Sequence, residues 1–138
     1  MGRVARTTIS IEPELFAQFN AYIAASGYAT RSEAVKSLMR SALVAQEWQT
    51  GRDVAGAILM VYDHHRGAII KKLTDVQHDF GAVIVCTQHV HLDHHNCMEV
   101  VVVRGTAAKI RELLSKLKAV KGVKHSSLIT ATTGEDVR

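Results

Sequence analysis

The segment His89-Val90-His91-Leu92-Asp93-His94-His95-Asn96-Cys97 places two imidazoles and a thiol within one short stretch. In an extended chain His89 and His91 point to the same side, and a polar turn over Asp93-His94-His95-Asn96 returns Cys97 opposite them, so two nitrogens and one sulfur converge. Such a donor set suits a borderline transition ion. Zinc, copper and nickel all accept it, and geometry alone separates tetrahedral zinc from square-planar nickel(II) or copper(II). One histidine at a strand end is ordinarily a solvated polar residue, and one cysteine a small buried hydrophobe. The three together at this spacing are what point to a metal. Two other classes use the same residues: an enzyme with Cys97 as nucleophile and His89 or His91 as base, or a metal storage or delivery protein. The enzyme reading lacks an obvious oxyanion-hole loop.

The surrounding pattern supplies elements to hold these residues. Val54 to Tyr62 reads as an apolar strand, Gly67 to Val76 as a short helix and Gly81 to His91 as a second strand. Cys97 to Arg104 follows as a third strand. Ile110, Leu113, Leu114 and Leu117 form a helical stripe closed by Gly122, and Val123 to Ala131 is a last strand before a charged tail. Strand, helix, strand, strand, helix, strand is the ferredoxin-like arrangement, with two helices over one face of a four-stranded antiparallel sheet. The Val-rich third strand implies that the other face packs on another subunit.

A separate pattern occupies the first 50 residues, which contain no histidine, whereas seven of the eight histidines lie between His64 and His95. Thr7, Ile9 and Ile11 alternate with Arg6, Thr8, Ser10 and Glu12 at the period of a half-buried strand. Pro13 suits a first helical turn, Leu15, Phe16, Phe19, Tyr22 and Ile23 recur at helical spacing, and Gly27 is a stop. Thr30-Arg31-Ser32-Glu33 has capping-box spacing ahead of a stripe of Val35, Leu38, Met39, Ala42 and Leu43. A strand and two helices in so few residues cannot bury enough apolar surface alone, so this unit is expected to dimerise by pairing its strand with a second copy. It resembles the ribbon-helix-helix fold, whose two-stranded ribbon enters the major groove of DNA. Carried over by alternation, the base-reading residues are Arg6, Thr8 and Ser10, and the amides near Arg31 and Ser32 are placed to hold a phosphate. The polar stretch from Gln46 to Arg52 reads as a linker, giving domains at 1–48 and 53–133.

Composition sets the limits. The chain has 138 residues, 17 Lys+Arg, 13 Asp+Glu and a net charge of +4, too small an excess to establish nucleic-acid binding on charge alone. Two cysteines are too few for a disulfide scaffold, and the N-terminal stretch lacks a signal-peptide pattern, so a reduced, cytoplasmic setting is expected. No apolar run approaches the roughly 18 residues that a membrane span requires.

Ribbon-helix-helix followed by a ferredoxin-like, ACT-type domain with His-x-His-x5-Cys resembles the nickel-responsive transcriptional repressor family over essentially the whole chain. Gly27-Tyr28, Arg31-Ser32-Glu33-Ala34, Gln77-His78, Cys97-Met98-Glu99 and Gly122-Val123-Lys124-His125 carry the likeness further. The fold class is therefore α+β. What the resemblance implies is a homotetramer, a dimer of dimers, in which four ACT-like domains hold one nickel(II) per subunit and two flanking ribbon-helix-helix dimers grip an inverted-repeat operator on double-stranded DNA. Nickel loading then favours binding and represses nickel-uptake genes, with no membrane association and no enzymatic role; a regulator of copper, zinc or cobalt is the alternative. The family's square-planar ligands map to His89, His91 and Cys97 of one subunit and His78 of its neighbour. On the strand reading His78 begins its own strand, so eleven residues at about 3.3 Å each put it more than 30 Å from His89 when extended and assign it to a neighbouring subunit. The resemblance also implies a weaker ion site on acids of the second helix, where Glu33 is present and Ser37 stands at the next position. His64 and Arg66 fall where the family makes interdomain or phosphate contacts, with Gly67 departing from a basic residue.

Overall fold

The computed structural model describes residues 3–137; Met1, Gly2 and Arg138 lie outside them, so the first two residues of the expected domain 1–48 do too. The chain divides after Met39 into two compact units.

In the first unit, α1 (Pro13–Ser26) starts on Pro13 and ends at Gly27, whose φ of 72° is the left-handed conformation that glycine adopts without a Cβ clash. Thr30 then accepts the Glu33 N–H at 3.2 Å, opening α2 (Arg31–Glu47) as the capping-box spacing predicts. Tyr28 donates its hydroxyl hydrogen to Ser37 at 2.8 Å, and the Arg31 guanidinium lies 4.6 Å from the centre of the Phe16 ring. The segment before α1, expected as a strand, has no regular structure. A β-ladder needs a partner, and among the described residues no strand pairs with this segment. Apolar burial here is slight: Ile9, Leu15 and Tyr22 stay exposed, and Ala34 is the buried residue among those described.

The second unit contains β1 (Asp53–Asp63), α3 (Gly67–Asp79), β2 (Ile84–His91), β3 (Asn96–Thr106), α4 (Ala107–Lys118) and β4 (Val123–Ala131). All pairings are antiparallel, in the order β2-β3-β1-β4, the split arrangement expected from the pattern. Strict alternation along β1 sends Val54, Ile58, Met60 and Tyr62 inward, where Val101 and Val103 of β3 join them. Helix α4 lays Ile110, Leu113 and Leu117 on this layer, with α3 beside it through Ile69 and Leu73. Thr106 caps α4 by accepting the Lys109 N–H, and Lys116 and Lys118 in its last turn oppose the helix dipole. On the opposite face, one row across the sheet sets Val102 and Ile129 on either side of Ala57, with both outer residues exposed.

Two differences from the sequence reading bear on function. The stretch expected as a linker begins inside α2, which runs to Glu47, and Trp48 is buried, its indole N–H donating to the Ala131 carbonyl at 2.9 Å. His78 does not begin a strand; it sits exposed in the last turn of α3. The stripe Ile69, Leu73, Val76 and Phe80 keeps helical spacing beyond Val76, and burial of Phe80 prolongs the helix. Because α3 ends at Asp79 and the chain turns through Phe80 to Val83 before β2 begins, the extended-chain span between His78 and His89 no longer applies.

Candidate metal centre

Register builds the site. His91 of β2 lies opposite Cys97 of β3, and Cys97 lies opposite Tyr62 of β1; one step along, His89 faces Glu99 and Glu99 faces Met60. Two adjacent rows thus bring His89, His91, Cys97, Glu99 and Tyr62 to the helix-covered side at one end of the sheet. The β2–β3 turn is pinned by Asp93, whose carboxylate accepts the His95 and Asn96 backbone N–H groups, each at 2.8 Å, and the Asn96 side-chain amide. These bonds, the Asn96 amide foremost, hold its carboxyl down at about 2.

Around the buried Cys97 sulfur stand three ring nitrogens: His64 Nδ1 at 3.0 Å, His89 Nε2 at 3.1 Å and His91 Nδ1 at 3.2 Å. The ligand atoms of His64, His91 and Cys97 all lie within 4.8 Å of one another. His64 enters from the turn after β1, where its backbone N–H donates to the His95 carbonyl at 3.3 Å.

The polar atoms behind this cluster determine how His89 presents itself. The Tyr62 hydroxyl donates to Glu99 Oε2 at 2.7 Å, so the 3.1 Å contact to His89 is an Nδ1–H donating to the Tyr62 oxygen. That tautomer leaves a lone pair on Nε2, aimed at the sulfur. Glu99 is buried, and its second oxygen accepts from Gln77 Nε2 at 2.6 Å. Burial, reinforced by the Glu99 carboxylate, pushes the Tyr62 hydroxyl far above the ordinary phenol value and keeps it protonated. Burial also raises the Cys97 thiol, with Asp63, Asp93 and Glu99 adding to the shift, whereas burial and the nearby His65 and His91 lower His64.

One thiol has a single proton to offer three nitrogens, so the arrangement crowds lone pairs around one point. A sulfur and three imidazoles are a donor set for a borderline divalent ion, nickel included, and an outer partner that fixes a ligating histidine's tautomer is the usual company of such a site. The residues fit a metal.

Other expected site residues are placed elsewhere. His78 is not in this cluster. Arg6, Thr8 and Ser10 lie exposed in the irregular N-terminal segment. Glu33 is in the first turn of α2, its carboxylate paired with Lys36, and Arg66 is the exposed residue preceding α3. His64 joins the sulfur cluster, a place the sequence reading did not give it. Tyr62, Gln77 and Glu99 were also missed as site residues. Their signal was the strand register: once Cys97 is set opposite the last inward residue of β1, that residue is a tyrosine with a polar atom to satisfy.

Comparison with known proteins gives this site a context. The NikR C terminal nickel binding domain matches residues 55–131. A nickel-responsive regulator from Nitratidesulfovibrio vulgaris (strain DSM 19637 / Miyazaki F) is 46% identical, with 99% of each chain covered. One from Chlorobium limicola is 47% identical over 97% of this chain and 100% of its own length, and one from Thermococcus onnurineus is 44% identical over 98% and 99%. Among solved structures, the ACT domain from GTP pyrophosphokinase of Chlorobium tepidum aligns with a TM-score of 0.50 at 20% identity, covering 56% of this chain and 100% of that one. An uncharacterized protein from Thermotoga maritima aligns at 0.54 and 15% identity, over 59% and 100%. These two likenesses concern the fold of the second unit. With a buried thiol ringed by imidazoles inside the matched segment, and relatives aligned from end to end, the chain belongs to the nickel-responsive regulator family.

Proposed function

We propose that this protein is a nickel-dependent DNA-binding transcriptional repressor of nickel-uptake genes, acting in the cytoplasm. The observation that carries the reading is the Cys97 sulfur with three imidazole nitrogens 3.0–3.2 Å away, inside the segment matched by a nickel-binding domain. His89, His91 and Cys97 hold one nickel(II) per subunit, and His78 of a second copy completes the set; its exposure at the end of α3 supports that role. When bound, nickel supplies a divalent charge that stabilises the thiolate and ties subunits together. Tyr62 orients His89, Glu99 fixes the Tyr62 hydroxyl, and Gln77 holds Glu99.

The core domain, residues 53–133, assembles as a tetramer, which the uncovered sheet face bearing Val102 and Ile129 supports. The N-terminal domain, residues 1–48, pairs with a second copy through the segment around Arg6 to Glu12. Exposed Ile9, Ile11 and Leu15 are the apolar surface that such pairing covers. Each resulting ribbon presents Arg6, Thr8 and Ser10 to one half of an inverted repeat, Arg6 as a guanine-reading guanidinium and the hydroxyls as adaptable partners. Nickel favours the assembly that binds DNA, and by linkage the operator then tightens nickel binding to the same degree. Glu33 belongs to a secondary ion site on α2, and Arg66 to a phosphate contact.

A specific observation favours a second ligand set: His64 Nδ1 is 3.0 Å from the sulfur, so His64, His89, His91 and Cys97 make four donors within one chain. A gel shift on DNA upstream of neighbouring transport genes, with nickel and then with chelator, tests the main reading. Nickel-dependent retardation that chelator reverses is expected. Retardation indifferent to nickel, copper, zinc and cobalt alike overturns metal control, and its absence throughout favours a storage or delivery protein.

A further inference from the structure

A second group of ligand atoms stands outside the sulfur cluster. Asp63 ends β1, His65 follows in the next turn and His95 lies in the β2–β3 turn; one ligand atom from each falls within 4.8 Å of the others. From this juxtaposition we propose that Asp63, His65 and His95 form an outer site for a divalent first-row transition ion, distinct from the site built on Cys97.

Backbone architecture brings the three together. Asp63 pairs with Asn96 at the last register position of β1 and β3, so the two turns leave the sheet at the same end. His64 N–H to the His95 carbonyl ties them at 3.3 Å. Each turn is held by its own carboxylate: Asp63 Oδ1 accepts the His65 N–H at 3.0 Å, and Asp93 accepts the His95 N–H. The His65 and His95 rings lie 5.2 Å apart, and His65 Nδ1 is 3.5 Å from Asp63 Oδ1.

Consecutive residues divide between the two sites. His64 is half-buried and turns to the sulfur, while His65, its neighbour, is exposed and faces the carboxylate and His95. The donor sets share no residue and differ in kind. The inner set has a thiolate; the outer has one carboxylate oxygen and two imidazoles, a combination that divalent first-row ions accept with water filling the remaining positions. Lacking sulfur and open to solvent, the outer site binds more weakly and exchanges faster than the inner one. This proposal goes beyond the repressor reading and does not depend on it.

Equilibrium dialysis against nickel(II), read together with thiolate-to-metal charge-transfer absorption, tests it on the full chain. The absorption reports the inner site alone, because the outer set contains no sulfur. Wild-type protein should continue to take up one further ion per chain after that absorption reaches its plateau. A His65→Ala/His95→Ala variant should reach the same plateau, which also shows that it is folded, and bind the further ion at least tenfold more weakly. That is the lower end of the roughly 10–100-fold lost when merely an outer partner of a ligand is removed. Equal uptake by both proteins, or no further ion in wild type at tenfold molar excess, overturns the outer site. Absence of the absorption from both proteins instead removes the inner reading, and the dialysis difference still decides the outer one.

Discussion

Tyr62 lies directly opposite Cys97 in the β1–β3 ladder, so the residue that supplies the sulfur and the residue that orients His89 are fixed by one strand pairing. A slip of one residue in either strand would turn that strand's side chain to the other face and part the two. The site is therefore a property of the sheet's register more than of any loop.

That relationship predicts the behaviour of Tyr62→Phe. The ring still fills its buried space, but Glu99 loses a donor and the His89 Nδ1–H loses its acceptor. Stability should fall by about 1–3 kcal/mol, the cost of leaving a buried polar group unpaired. Nickel affinity should fall roughly 10–100-fold, as for loss of an outer partner of a ligating histidine. Urea melts and chelator competition measure the two effects; wild-type affinity in the variant would show that Tyr62 does not orient the ligand.

The pH dependence has a definite sign. Burial, aided by three carboxylates, raises the Cys97 thiol above its ordinary range, so without metal the sulfur is protonated at pH 7. His64, lowered by its burial and neighbouring imidazoles, is already neutral there and has no proton to release. Nickel binding should release about one proton per ion from the sulfur, and affinity should rise as pH rises from 7 toward the thiol's value. Calorimetry in buffers of different ionisation enthalpy counts the protons; a count near zero at pH 7 would contradict the thiolate assignment.

Much of this architecture was legible because its periods are strong. Alternation in β1 and β3 and the stripe Ile110, Leu113 and Leu117 each coincide with the buried residues. The end of α3 was not, because a polar stretch containing Gln77 and His78 hides the one buried residue, Phe80, that carries the helix onward. The place of His64 beside the sulfur was hidden for a different reason. Its position depends on where the turn after β1 meets the β2–β3 turn, a contact across more than 30 residues that no local spacing encodes. The strand expected at Thr7 to Ile11 is not seen, since a ladder needs a partner and none pairs with this segment among the described residues.

Gly56→Ala tests the packing of the end of α2. A Cβ at this position would lie 2.6 Å from the Ile129 carbonyl oxygen and 3.2 Å from the Trp48 ring. Backbone on one side and a buried indole on the other leave little room to yield, so the variant should lose about 1–3 kcal/mol in a urea melt, the range of an overpacked core. Unchanged stability would mean that β1 and β4 can separate there without cost.

Arg6→Ala and Thr8→Ala should each weaken operator binding by about 1–3 kcal/mol, the worth of a good base contact, without changing nickel uptake. Both side chains are exposed and neither supports the core. Competition with unrelated DNA separates base reading from phosphate contact: lost specificity with retained weak binding fits a ribbon in the groove. Full specificity in both variants would remove these residues from DNA recognition.

The fourth nickel ligand can be settled by mixing subunits. His78 is exposed at the end of α3, absent from the cluster around its own sulfur, whereas His64 is within 3.0 Å of that sulfur. If His78 comes from a neighbour, His78→Ala alone and Cys97→Ala alone each lack a complete site, yet a mixed assembly contains some complete ones, pairing the intact His78 of one subunit with the intact hairpin of another. Charge-transfer absorption should then be weak in His78→Ala, absent in Cys97→Ala, and partly recover on mixing under conditions where labelled subunits exchange. A chain that closes its site with His64 predicts the opposite. His78→Ala alone would keep full absorption, Cys97→Ala would have none, and mixing would give only their average. The two ligand sets therefore differ in the first spectrum recorded, before any subunit has exchanged.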